Sequence, residues 1–227
     1  PAGARKNTQD NTPAVIHYSI VPGDTLEIEV AAKGGGSENK TMMAMLNPSD
    51  SIVDWVLSVV PQMGAGWCPP GMLGIGIGGT AEKAAVLAKE SLMDPIDIHE
   101  LRERGPQNRV EELRLEIFDK VNQLGIGAQG LGGLTTVLDI KIKDYPTHAA
   151  SLPVCIIPNC AATRHAHFVL DGSGPAVLDQ PNLDAYPDIV WEAGPSARRV
   201  DLDSITPEDI QDWKPGETLL LNGKMLT

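Results

Sequence analysis

The sequence predicts a mixed α/β chain, with one domain running to about residue 195 and the start of another from 196. Two kinds of hydrophobic spacing are interleaved. Leu26, Ile28 and Val30 recur at every second residue, as in a half-buried strand, while Ile52, Val53, Val56, Leu57 and Val60 recur at helical intervals. A Pro-, Gly- and Asp-rich stretch, residues 172–195, has the composition of a linker. Aromatics make up only 4%, against 23 Gly and 18 Pro, so the core must be aliphatic and the chain must turn often.

Residues 1–13 are polar and read as loop. Val15–Val21 and Thr25–Ala31, separated by Pro22-Gly23-Asp24, predict a hairpin of half-buried strands. Asp50–Gln62 predicts a helix with Ser49 or Asp50 as its cap. Met72–Ile77 is a short, glycine-interrupted apolar strand. Thr80–Met93 is helical, and so is 106–124, with Pro106 near its start and Gly125 as its stop. Alternation then predicts strands over Thr135–Lys143, Pro153–Ile157 and His165–Leu170. In the second unit Arg199-Val-Asp-Leu reads as a strand, and Thr206-Pro-Glu-Asp opens a short helix to Trp213. Lys214–Glu217 is a turn and Thr218–Leu221 a strand.

At 227 residues the chain can bury roughly 70% of the surface its unfolded form exposes, without disulfide staples. Mean hydropathy is −0.10 and the apolar fraction 42%, ordinary values for a folded globular protein. Eighteen Lys and Arg against 30 Asp and Glu give a net charge of −12 with no basic stripe, which argues against nucleic acid as a partner. No apolar run approaches the ~18 residues of a membrane helix. The chain opens on Pro1 without a signal-peptide pattern and stops at Thr227 within an apolar stretch, so we expect an internal piece of a longer polypeptide. Three cysteines cannot all pair with one another. The odd count fits a reducing, cytoplasmic setting in which thiols are buried or bound to metal.

Gly74-Ile-Gly-Ile-Gly-Gly79 precedes a helix but has the wrong spacing for a dinucleotide fingerprint, and close backbone packing beneath the Cys68 loop explains it better. Lys33-Gly-Gly-Gly-Ser37 leaves three amides free of side chains, either as a nest for an anion or as a plain turn. Cys68, in Gly66-Trp-Cys-Pro-Pro-Gly71, and Cys160, in Pro158-Asn-Cys-Ala, occupy Pro-flanked loops that can aim a thiolate into a site. Cys155 lies within an apolar strand and reads as a core thiol. The two loop cysteines do not have a zinc-finger spacing. His148, in a Pro-containing turn, is a candidate acid or base. His17 and His99 read as structural or solvated, and His165 and His167 as a strand pair.

Several ordered motifs together carry a family resemblance. They are Ala32-Lys-Gly-Gly-Gly-Ser-Glu-Asn-Lys40, Cys68-Pro-Pro-Gly71 with Gly78-Gly-Thr80, Gly125–Gly133, Thr147–Ser151, Asn159-Cys160 and Leu221–Lys224. With them the chain resembles the class I fumarate hydratases, iron–sulfur hydro-lyases related to L-tartrate dehydratase. The opening Asn7–Ala14 also resembles the family, with Gln9 where it has Gly. The resemblance implies the catalytic domain of an iron–sulfur hydro-lyase followed by the start of a β-rich swivelling domain. It implies a [4Fe–4S] cluster on three thiolates. Cys68 and Cys160 match two ligand positions, and the third lies upstream of this chain. Gly34, Gly35 and Gly36 match substrate-binding positions and His148 a catalytic one; a further substrate-binding segment follows Thr227. The activity implied is reversible hydration of fumarate to (S)-malate within the tricarboxylic acid cycle, by a homodimer of the full-length enzyme acting on a small dicarboxylate. Alternatives are L(+)-tartrate dehydration, or a structural role alone. The piece by itself is expected to be inactive.

Overall fold

The computed structural model describes residues 3–10, 14–178, 192–214 and 217–225, together with 180, 184, 188 and 190. Parts of the expected opening loop, linker and Lys214–Glu217 turn lie outside these residues. The chain divides into two compact units, Pro1–Leu178 and Asp179–Thr227.

The first unit is built on a four-stranded mixed sheet. Its strands are β2 (Met42–Leu46), β3 (Gly71–Gly78), β4 (Val137–Tyr145) and β5 (Leu152–Cys160), in the order β2-β5-β3-β4. β3 and β4 run parallel, whereas β5 is antiparallel to both β2 and β3. A parallel pair needs a long crossover. Here it consists of α3 (Ala81–Ser91), α4 (Ile98–Arg104) and α5 (Arg109–Gln123). Leu73, Ile75, Ile140, Val154 and Ile156 pack on one face against α5 and against α2 (Ile52–Val59). Met72, Cys155 and Ile157 pack on the other, against Ala84 and Ala88 of α3. With both faces covered, these strands read as near-continuous apolar runs.

The glycines of β3 serve that packing. A Cβ at Gly74 would strike the Ala88 carbonyl, and one at Gly76 the Ala84 carbonyl. The run therefore admits α3 to the sheet. Close packing was the right expectation, but its partner is α3 and not the Cys68 loop.

Local chemistry sets the helix ends. Ser51 Oγ accepts from the Asp54 amide at 3.1 Å, so the cap of α2 is Ser51 instead of Ser49 or Asp50. Asn108 caps α5 in the same way, through the Glu111 amide at 3.0 Å. Leu113, Ile117 and Val121 then form its buried stripe. Gly125, at φ 67°, takes the left-handed turn that ends it. The short α4, which carries His99, and the methionine-rich β2 have no counterpart in the expected elements.

The free edge of β4 is closed by charged groups. Arg114 of α5 donates Nε to the Ile140 carbonyl at 2.6 Å and pairs with Asp97 and with Asp139, the latter at 3.2 Å. Lys141 bridges Asp97 and Asp139, each at 2.8 Å, and also reaches the Pro95 carbonyl. Asp139 is fully buried, and every polar atom it brings inside meets a partner. The Ile140 carbonyl on this edge is thereby occupied.

The expected hairpin over 14–31 does not form. β1 (Leu26–Ala31) pairs with β6 (His165–Leu170), Leu26 opposite Leu170 and Ala31 opposite His165. Residues 14–21 form no strand and are exposed. Alternation identified β1 but not its partner, which is more than a hundred residues away in the sequence. The second unit pairs β7 (Arg198–Asp201) in parallel with β8 (Leu219–Asn222). Between them lies α6 (Pro207–Gln211), opened by a Thr206–Asp209 capping box.

Candidate active site

The sheet topology decides which candidate residues meet. Gly71 opens β3 and lies opposite Cys160, which closes β5. Cys68 immediately precedes β3, so both thiols reach the same end of the sheet. Cys160 is thus the last residue of a strand, not part of a loop. Its neighbour Asn159 is buried.

Cys68 has φ 59°, a left-handed conformation that side chains rarely adopt and that clusters at functional sites. The surrounding chain holds it there. The Cys68 amide donates to the Ala65 carbonyl at 2.9 Å. The Pro69 carbonyl accepts from the Gln129 amide at 2.6 Å. Gln129 belongs to the glycine-rich loop 125–133, which therefore backs the Cys68 turn. Trp67 beside it is fully buried.

The glycine run abuts the same turn. Gly35–Glu38 forms a single helical turn, α1, with Gly34 at its N-cap in extended conformation. No glycine here needs a positive φ, so the segment is not a nest of alternating hand. The reason for a glycine is contact, since a Cβ at Gly36 would lie 2.9 Å from the Gly66 carbonyl. Lys33 Nζ donates to Ser37 Oγ at 2.8 Å, and Ser37 Oγ donates to the Gly34 carbonyl at 3.1 Å, which fixes the turn. Glu38 takes both Lys33, at 3.3 Å, and Lys89 of α3. Burial pushes the Lys33 ammonium below its ordinary value despite Glu38, and Lys33 lies within electrostatic reach of Cys160. Burial raises the Glu38 carboxyl, but Lys89 and Lys33 more than offset this and leave it lowered.

The remaining candidates separate. Cys155 faces α3, and burial raises its thiol to about 11, as expected of a core cysteine. His148 lies in the turn between β4 and β5, its Nδ1 accepting from the Ala150 amide at 3.1 Å. Thr147 of that turn donates to the Gly79 carbonyl at 2.9 Å, just past the far end of β3. The eight residues of β3, at about 3.3 Å each, put roughly 23 Å between that end and the cysteines. His148 thus does not join Cys68 and Cys160 within one chain. His167 on β6 pairs with Glu27 at 2.8 Å, a polar ribbon face. Arg164, not singled out from the sequence, lies beside Gly34, a place that follows only from the β1–β6 pairing.

Cys68 and Cys160 fit an iron–sulfur group as two of its donors. They are thiols at one end of the sheet, backed by fixed turns and neighbouring cations that suit a thiolate-bound anionic cluster. Among the described residues no group of three or more His, Cys, Asp or Glu stands ready to hold a metal ion. No helix there is long and apolar enough to cross a membrane.

Comparison with known proteins gives the family. Residues 1–169 match the family model described as fumarate hydratase, and residues 172–227 match that of the fumarase C-terminus. A Methanocaldococcus jannaschii protein named as an L(+)-tartrate dehydratase subunit alpha is 46% identical over 145 residues, which are 62% of this chain and 49% of the relative. The L(+)-tartrate dehydratase subunit alpha of Escherichia coli O157:H7 is 34% identical over 169 residues, 73% of this chain and 54% of its own. That of Escherichia coli K12 is 33% identical over 168 residues, with the same shares. The chain spans about half the length of these curated relatives. Fold and matches together place the chain in a hydro-lyase family. The chain belongs to the class I fumarate hydratase family, in which the L(+)-tartrate dehydratase alpha subunits also fall.

Proposed function

We propose that this chain forms the cluster-binding part of a hydro-lyase that adds water to, or removes it from, a four-carbon dicarboxylate. The observation carrying this reading is the convergence of Cys68, Cys160 and the Gly34–Gly36 turn at one end of the sheet, where Lys33 and Lys89 outnumber Glu38. Cys68 and Cys160 would hold two corners of a [4Fe–4S] cluster, with a third thiolate from outside this chain. When bound, the cluster supplies Lewis acidity toward a substrate hydroxyl.

The chain's own residues do the rest. The first-turn amides over Gly35 and Gly36 have no acceptor within the helix and are free to meet a carboxylate. Gly36 keeps this turn against the Cys68 loop. His148 would serve as acid or base only across a homodimer, because within one chain it lies at the far end of β3.

The relatives' names favour L(+)-tartrate as substrate over the fumarate expected from the sequence. Fumarate hydration remains the second reading, supported by the names of both matching family models. The thiols suit a reducing, cytoplasmic setting. Turnover of L(+)-tartrate and of fumarate, measured side by side on the anaerobically assembled enzyme, tests the assignment. Faster tartrate turnover supports it, a fumarate preference supports the second reading, and activity on neither refutes both.

A further inference from the structure

The segments that build the cysteine end are unlike the rest of this acidic chain. Residues 32–41, 61–71, 125–136 and 158–164 contain Lys33, Lys40 and Arg164, with Glu38 as their only carboxylate, and α3 adds Lys89. The chain as a whole is at −12, so the surplus of positive charge is local. Glu38 engages both Lys33 and Lys89. Lys40 lays its stem on Gly66, where a Cβ would lie 2.6 Å from Cε. Arg164 is exposed and has no ion pair among the described residues.

The guanidinium is nonetheless held in place. Its Nε donates to the Ala32 carbonyl at 3.0 Å, while the Ala32 amide donates to the Arg164 carbonyl at 2.9 Å. Arg164 thereby joins the end of β1 to the start of β6. Nη2 lies 3.8 Å from where a Cβ of Gly34 would sit. One edge of the fork is anchored, and the terminal nitrogens are left over the glycine turn, four residues beyond Cys160. A fork fixed by Nε loses little freedom on binding and matches the two oxygens of a carboxylate.

We infer that Arg164 is a substrate-binding residue, gripping one carboxylate of the dicarboxylate beside the Gly34–Gly36 turn. This deepens the proposed function and rests on it. Both carboxylates of such a substrate are bonded to the carbons that react, so the grip serves binding and turnover alike.

The test uses the anaerobically assembled enzyme with Arg164→Gln and Arg164→Lys, and succinate as the unreactive dicarboxylate. The expected result is a 10- to 100-fold weaker succinate Kd and a similarly raised KM in Arg164→Gln, with a smaller loss in Arg164→Lys. Iron content and thermal midpoint should be unchanged. Wild-type succinate affinity in Arg164→Gln overturns the inference. So does a matching fall of midpoint, iron content and kcat in both variants, which would make Arg164 only a tie between strands. If wild type binds succinate through Arg164 but turns over neither tartrate nor fumarate, the functional reading fails while this inference stands.

Discussion

Gly71, the first residue of β3, lies opposite Cys160, the last residue of β5. This single register position brings two thiols far apart in sequence to one end of the sheet. It also leaves no room for a side chain, since a Cβ at Gly71 would strike the Asn159 backbone. Gly71→Ala should therefore displace Cys160 and lower the iron content of the assembled enzyme together with its activity. Wild-type iron content in that variant would show the close approach to be unimportant.

The glycine turn offers an internal control. Gly36→Ala pushes a Cβ toward the Gly66 carbonyl, backbone against backbone, whereas nothing lies within 4 Å of a Cβ at Gly35. Gly36→Ala should cost about 1–3 kcal/mol in a denaturant titration. Gly35→Ala should be neutral or slightly stabilising. Equal effects at the two positions would mean that contact with the Cys68 loop is not why Gly36 is a glycine.

The edge clasp predicts a dependence on acid. Burial works to raise the Asp97 carboxyl, but Arg114 and Lys141 outweigh it and bring it down to about 2. A carboxyl depressed in the folded state adds stability that is complete above its unfolded value, near 3.8, and is lost as pH falls toward 2. Between pH 4 and pH 2 the denaturation midpoint of wild type should fall more steeply than that of Asp97→Asn. Parallel curves would remove Asp97 from the acid response.

His148 predicts complementation. If it acts across a homodimer, His148→Asn and Cys160→Ser chains should each be nearly inactive alone. Dissociated and reassembled together, they should regain on the order of a quarter of wild-type turnover. That figure is the sum over randomly paired dimers, half of them mixed with one intact site of two. No recovery in verified mixed dimers would rule out that role.

Elements whose side chains pattern themselves were legible in the sequence. α3 and α5 follow from helical spacing and nearby caps, and β4 from its apolar alternation. What the sequence hid was pairing. Glu27 and Glu29 mark β1 as half-exposed, but nothing local says that its neighbour is His165–Leu170, so an adjacent apolar stretch looked like the partner. β2 is five residues long and α4 seven, too short for their periodicity to stand out. The same limit shaped the site. Cys68 and Cys160 stood out through their motifs, whereas the distance of His148 and the proximity of Arg164 depend on strand direction, which no motif encodes.

The central claim is that Cys68 and Cys160, and not Cys155, hold the cluster. Iron content and visible absorbance of the complete enzyme, after anaerobic reconstitution of Cys68→Ser, Cys160→Ser and Cys155→Ala, test it most directly. A serine hydroxyl replaces a soft thiolate with a harder donor that binds iron poorly, whereas alanine at Cys155 removes only a buried packing group. The account predicts loss of the cluster in both serine variants and its retention in Cys155→Ala. A cluster that survives in Cys160→Ser but fails in Cys155→Ala would contradict it.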